Sequence, residues 1–108
     1  ELQMNDILTK INLVLKDRKD KDPEKSYVAS LNKKGLNHAC NKIEEEANEL
    51  VNALTNENKE RVISEAADLW FHSLVALSMK NLSSDDILNE LEKRFGISGH
   101  EEKNNRNA

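Results

Sequence analysis

Four carboxylates recur at helical spacing in the middle of the sequence. Glu46 stands three positions before Glu49, and Glu65 stands three positions before Asp68. In an α-helix, residues three or four positions apart share a face. Carboxylates held close together repel one another unless a cation intervenes, and carboxylate oxygens, completed by water and phosphate oxygens, are the ligands that Mg²⁺ prefers. The pattern therefore predicts a site for Mg²⁺ or Mn²⁺ bound together with a phosphorylated ligand.

Other metal chemistries fit these residue types less well. Cys40 is the single cysteine, and no two of the three histidines have the spacing of a zinc site. A di-iron bundle would need Glu-x-x-His pairs. The pairs of this chain are Glu46-x-x-Glu49 and Glu65-x-x-Asp68, which contain no histidine. An ordinary solvated acidic face is the alternative, and spacing alone leaves it open. Against it, Asp68 leads directly into the apolar residues 69–71, where an unpaired carboxylate is costly.

The apolar residues that must position these acids also recur at helical spacing. Helices are expected from Asn5 or Asp6 through Leu15, over a short segment at 27–31, and over about 37–54, 59–80 and 84–95. Ser26 and Ser83 are predicted N-caps, and Gly35 and Gly96 are predicted to end helices. Segment 69–79 is apolar nearly all round, which is typical of a bundle centre or a subunit interface. The sequence predicts an all-α bundle of four to five helices, completed by dimerisation.

Length, charge and composition exclude several classes of protein. A domain is expected over residues 4–96, with a polar tail over residues 97–108. The chain has 108 residues, and its net charge of −4 disfavours a nucleic-acid binder held by phosphate charge. Three glycines and one proline are too few for an all-β fold. No apolar run approaches the ~20 residues that cross a bilayer, and a single cysteine favours the cytoplasm.

The acidic pattern resembles that of a known enzyme superfamily. Glu45-Glu46-x-x-Glu49 followed by Glu65-x-x-Asp68 is similar to the acidic motif of the all-α, MazG-like nucleoside triphosphate pyrophosphatases. Five blocks narrow the resemblance, namely Ser26–Leu31, Lys34-Gly35, Lys42–Ala47, Glu65–His72 and Ser98–Arg106. In this order they resemble the phosphoribosyl-ATP pyrophosphatase family. That resemblance implies Mg²⁺-dependent hydrolysis of phosphoribosyl-ATP to phosphoribosyl-AMP and pyrophosphate, the second step of histidine biosynthesis.

The resemblance also implies roles for individual residues. The expected metal ligands and catalytic acids are Glu46, Glu49, Glu65 and Asp68, and the expected substrate-binding cations are Lys42, Arg94, Lys103 and Arg106. For each cation a solvated charge is the alternative, and Lys42 is as well placed to pair with a carboxylate. His72 is expected to be buried and hydrogen-bonded to the Asp68 carboxylate or to backbone. Cys40 is expected to be a small core residue.

Two other functions remain open at this point. A MazG-like pyrophosphatase acting on other nucleoside triphosphates would share the acidic motif. A non-catalytic interaction protein would bind a partner helix through its apolar face and would not depend on Mg²⁺. The thin core of so short a chain, together with segment 69–79, favours a homodimer with the site near the interface.

Overall fold

Five α-helices form the part of the chain that the computed structural model describes, residues 6–96. The helices are α1 (Asp6–Arg18), α2 (Tyr27–Lys34), α3 (Leu36–Asn56), α4 (Lys59–Met79) and α5 (Ser84–Phe95). No strand occurs within residues 6–96, so the all-α prediction is confirmed. None of these helices combines the length and apolar character needed to cross a bilayer. The predicted tail at 97–108 lies outside the described residues.

Side-chain caps start α2 and α5 at the positions that the sequence predicted. The Ser26 hydroxyl accepts a hydrogen bond from the Ala29 N–H at 3.2 Å at the start of α2. At the start of α5, the Ser83 hydroxyl accepts from the Asp85 N–H at 3.2 Å, and the Asp86 carboxylate accepts from the Ser83 N–H at 2.9 Å. This reciprocal pair is a capping box, which satisfies two backbone donors that a helix start leaves free.

A single residue, Gly35, connects α2 to α3. Its φ of +95° lies in the left-handed region, which glycine adopts without steric cost. The Gly35 N–H donates to the Leu31 carbonyl at 3.1 Å, and the Gly35 carbonyl accepts from the Ala39 N–H at 3.1 Å. The chain therefore leaves one helix and enters the next without an intervening loop.

The hydrophobic core joins α1, α2 and α4. It consists of the buried side chains of Leu15, Val28, Leu31, Leu74 and Val75. Helices α3 and α4, joined by only residues 57–58, pack along each other as an antiparallel pair. Helix α2 packs against both, whereas α5 packs against α1. Leu74, Val75 and Ala76 place one part of segment 69–79 at the centre of the bundle, whereas Trp70 in the same segment is exposed.

One surface of the α3–α4 pair is apolar and open to solvent. Val51 and Leu54 on α3 and Ile63 and Trp70 on α4, called here the apolar face, are each 61–64% exposed. Viewed along each helix from its start to its end, these residues lie on the same rotational side of the buried Glu46 of α3 and Glu65 of α4. Because the two helices are antiparallel and face each other through those acids, all four residues lie on one side of the pair.

One packing prediction is wrong. Cys40 is exposed, although it was expected in the core. It follows the buried Ala39, and one further residue rotates the side chain by about 100° around the helix axis. That rotation turns the thiol from the interior to solvent.

Candidate functional site

Three of the four predicted acids meet between α3 and α4. Glu46, Glu49 and Glu65 each offer a carboxylate oxygen, and these oxygens lie within 4.8 Å of one another. Glu46 and Glu65 are 6% and 5% exposed, whereas Glu49 stands at the open edge. The short connection between the two helices makes the acidic stripes face each other. This acidic cluster could hold a metal ion.

The fourth predicted acid, Asp68, lies beside the acidic cluster but outside that group of oxygens. It is half-buried and stands one helical turn after Glu65. Its negative charge contributes to raising the pKa of Glu65. Asp68 is therefore close enough to Glu65 for its negative charge to disfavour the charged form of that acid.

Two acids of the cluster, Glu49 and Glu65, have raised pKa values. The pKa of Glu49 is raised chiefly by a hydrogen bond with Glu46; a hydrogen bond with Glu65 acts in the opposite direction, and burial and the neighbouring charges add to the rise. The pKa of Glu65 is raised first by burial and then by Glu49, while Arg61 acts in the opposite direction. The cluster thus favours an added positive charge, whether a proton or a metal ion.

Two cations border the acidic cluster, one on each helix. On α3, Lys42 Nζ lies 3.5 Å from Glu45 Oε2 and 3.6 Å from Glu46 Oε1. On α4, Arg61 Nη2 lies 3.2 Å from Glu65 Oε1. Lys42 thus pairs with carboxylates, one of its two expected roles. Arg61 received no role from the sequence, although its place four residues before Glu65 on the same stripe is the signal that marks it.

A cleft of about 400 Å³ opens beside the cluster. Its lining residues are Asn48, Glu49, Asn52, Glu57, Arg61 and Glu65. A larger groove of about 510 Å³ runs between α1 and the α4–α5 connection. The acidic cluster lies at the smaller cleft, which is therefore the candidate site.

The remaining predicted residues lie elsewhere or outside the described range. Arg94 Nε donates to Glu90 Oε2 at 2.9 Å within α5. Lys103 and Arg106 lie outside the described residues. His72 is buried and bonded to the backbone carbonyl of Asp68, which confirms the expected backbone contact. Its second partner, Tyr27, was not predicted because it comes from a different helix.

Comparison with known proteins identifies the family. Residues 8–95 match the family model described as phosphoribosyl-ATP pyrophosphohydrolase. The chain belongs to this family. A phosphoribosyl-ATP pyrophosphatase of Hydrogenovibrio crunogenus is 53% identical over 106 residues, covering 94% of each chain. The phosphoribosyl-ATP pyrophosphatase of Vesicomyosocius okutanii is 45% identical over 104 residues, covering 96% of this chain and 99% of that protein. The enzyme of the same name from Ruthia magnifica matches equally well.

Proposed function

We propose that this chain hydrolyses phosphoribosyl-ATP to phosphoribosyl-AMP and pyrophosphate in histidine biosynthesis, using Mg²⁺ held by acids of α3 and α4. Family membership across residues 8–95 supports the substrate and the reaction. The observation that carries the proposal is the convergence of three carboxylates within 4.8 Å. We also propose a cytoplasmic location, because the single free cysteine fits a reducing compartment.

The donor set of the site fits a hard divalent cation. Glu46 Oε2 is a fully buried side-chain oxygen to which no group of residues 6–96 donates a hydrogen bond. A buried carboxylate oxygen without a donor is costly unless a cation completes it. Glu49 and Glu65 add oxygens of the same hard type. We therefore assign Glu46, Glu49 and Glu65 as ligands, with Asp68 as a further ligand directly or through water, and Mn²⁺ as a possible substitute for Mg²⁺.

The chemistry divides between the cation and the protein. When bound, Mg²⁺ supplies positive charge that offsets the charge of the phosphate oxygens and activates water for attack on the phosphoanhydride. An acid that contacts the cation only through water, or not at all, accepts the proton of the attacking water. Asp68 suits that role because it stands beside the acidic cluster, outside the group of three ligand oxygens.

Cationic side chains around the cleft are assigned to the substrate phosphates. Arg61 lines the cleft and turns its guanidinium to Glu65. Lys42 borders the other side of the cluster. Binding of a cation to the acids would free both side chains to contact phosphate oxygens. Arg94, Lys103 and Arg106 remain proposed contacts for the second phosphate-bearing end of the substrate.

The apolar face supports a homodimer. Val51, Leu54, Ile63 and Trp70 expose large side chains on one side of the α3–α4 pair, opposite in rotational sense to Glu49 and Asp68. Large apolar side chains exposed together on one side are typical of an interaction site. A second copy of this chain is the occupant that we propose, because packing two such helix pairs face to face makes a four-helix bundle.

The test of this function measures pyrophosphate release from phosphoribosyl-ATP with and without Mg²⁺. We expect turnover only with Mg²⁺, and a loss of about 100-fold or more in Glu49→Gln, which keeps the shape but removes the charge. Circular dichroism should show the same helix content in both proteins. Asp17→Asn, which neutralises an exposed acid on α1 away from the cluster, is the control and should keep full activity.

The same assay separates the two alternative functions. Faster release from ordinary nucleoside triphosphates than from phosphoribosyl-ATP would favour a broader MazG-like pyrophosphatase. The absence of Mg²⁺-dependent release from every substrate, with Glu49→Gln affecting stability alone, would favour a non-catalytic interaction protein.

A further inference from the structure

The side chain of His72 links three helices at the edge of the acidic cluster. It is 7% exposed and lies on α4. Its Nε2 is 2.9 Å from the Tyr27 hydroxyl of α2, and its Nδ1 is 2.9 Å from the carbonyl of Asp68 one turn earlier. The same Nδ1 lies 3.9 Å from Glu46 Oε1 on α3. A change at Tyr27 can therefore reach an acid of the cluster through one imidazole ring.

The partners of His72 define where its proton sits. A backbone carbonyl only accepts, so Nδ1 carries the hydrogen that it donates to Asp68. In the neutral imidazole Nε2 is then an acceptor, and the Tyr27 hydroxyl donates to it. Tyr27 is itself held, because its ring stacks on Phe71 with centroids 6.3 Å apart. The two hydrogen bonds fix one tautomer and one ring orientation.

The two oxygens of Glu46 have unequal surroundings. Oε1 faces positive or donor groups, since Lys42 Nζ is 3.6 Å away and His72 Nδ1 is 3.9 Å away. The second distance is too long for a hydrogen bond. His72 therefore attracts Oε1 only through the partial positive charge of its Nδ1–H group. Oε2 is buried and receives no hydrogen bond from residues 6–96. Of the two oxygens of Glu46, Oε1 therefore has the attractive contacts, whereas Oε2 has no hydrogen-bond donor within residues 6–96.

We propose that His72, oriented by Tyr27, is a positioning residue that holds Oε1 of Glu46 and so presents Oε2 to a divalent cation. The inference rests on the proposed cation site. Groups that orient a metal ligand without touching the metal commonly change metal affinity by about 10- to 100-fold when removed. Toward Glu46, His72 and Tyr27 are groups of this kind, since His72 lies beside Oε1 and Tyr27 is hydrogen-bonded to His72.

Three variants separate the contributions of the donor at Nδ1, the imidazole ring and the tyrosine hydroxyl. Tyr27→Phe removes one oxygen and keeps the ring that stacks on Phe71. His72→Gln places its amide near Nε2 and lacks the donor at Nδ1. His72→Asn keeps a donor near the position of Nδ1. Asn32 shows that a helical asparagine can make this contact, because its Nδ2 donates to the Val28 carbonyl four residues earlier at 2.9 Å.

Ser73→Ala is the matched control. It removes the 2.8 Å hydrogen bond from Ser73 to the Leu69 carbonyl on the same helix, next to His72. It leaves Tyr27 and Glu46 untouched, so it reports what the loss of a local hydrogen bond alone does to the helix.

The measurement is Mn²⁺ binding to the full chain without substrate, by calorimetry and by electron paramagnetic resonance, with thermal unfolding in EDTA alongside. We expect His72→Gln to weaken Mn²⁺ binding about tenfold or more and Tyr27→Phe about threefold to tenfold. His72→Asn and Ser73→Ala should stay within about threefold of the wild type. Full Mn²⁺ affinity in both His72→Gln and Tyr27→Phe, with only a lower melting temperature, would overturn the proposal.

Two further outcomes are distinguishable. Equal weakening in His72→Gln and His72→Asn would assign the effect to lost ring packing and would also overturn the positioning role. A wild-type protein that binds no Mn²⁺ would instead overturn the cation site of the proposed function, and the positioning role with it.

Discussion

Trp70 is the residue through which the proposed subunit interface is most directly tested. It is the only tryptophan of the chain and is 64% exposed in one subunit. A tryptophan buries up to roughly 250 Å², so about 160 Å² of Trp70 is open to solvent. At about 25 cal/mol per Å², complete burial of that area would stabilise a dimer by about 4 kcal/mol per subunit.

Truncation of Trp70 acts twice in a symmetric dimer, because both copies lose the side chain. If the interface covers half of the open area, Trp70→Ala costs about 2 kcal/mol per subunit and about 4 kcal/mol per dimer. The dissociation constant should then rise about a thousandfold. Sedimentation velocity over a range of concentrations measures that constant. In the wild type, tryptophan emission should shift to shorter wavelength as the concentration rises, because dimerisation removes the indole from water.

Leu13→Ala is the control for this measurement. Leu13 is also 64% exposed but lies on α1, away from the apolar face. Its truncation should change the dissociation constant by less than about threefold. The reasoning fails if Trp70→Ala dimerises as tightly as the wild type. It also fails if the wild type is monomeric and its emission is independent of concentration.

Two further predictions concern the acidic cluster and the core. Without divalent cations, Glu49 and Glu65 hold their protons to higher pH than in the unfolded chain, where the pKa is near 4.5. Their contribution to stability is therefore present below that pH and lost as the pH rises through their raised folded pKa values. Melting curves in EDTA should show the wild type losing stability relative to Glu49→Gln as the pH rises. Added Mg²⁺ should reverse that loss. A wild type that gains stability relative to Glu49→Gln as the pH rises would contradict the assignment. Leu31 is 1% exposed and lies in the core. Leu31→Ala should therefore lower the free energy of unfolding by roughly 2–5 kcal/mol, while the protein that remains folded keeps its turnover. An unchanged midpoint of urea unfolding would refute this prediction.

The helix boundaries were predictable because local chemistry sets them. Ser26 and Ser83 have side-chain oxygens that can bond to backbone donors within the next turn, and the structure uses both in this way. Gly35 was expected to end a helix, and its positive φ is the physical reason. The spacing of the acids also predicted that the acidic stripes of the two helices would face each other, and Glu46, Glu49 and Glu65 do meet between α3 and α4.

The degree of burial was not predictable, because it depends on which neighbour covers each face. On α3 the acid Glu46 is buried, whereas the apolar Val51 and Leu54 are exposed. Hydrophobicity alone favours the reverse arrangement within one subunit. Cys40 shows the same limit, since its residue type suggests the interior and its position on the helix puts it outside.

The contact between Tyr27 and His72 was beyond reach for a related reason. The two residues are 45 positions apart, and their hydrogen bond exists because α2 docks against α4. Periodicity places His72 on the acidic stripe but carries no information on which side chain of another helix will meet it.

The one-residue junction at Gly35 has a mechanical consequence. Because no loop separates α2 from α3, the segment that holds Tyr27 has no slack relative to the helix that holds Glu46. Both the N–H and the carbonyl of Gly35 are hydrogen-bonded, so a change in the angle between α2 and α3 has to disturb one of these bonds or bend a helix. The direction in which α2 presents Tyr27 to His72 is therefore set by the backbone angles of one residue, Gly35.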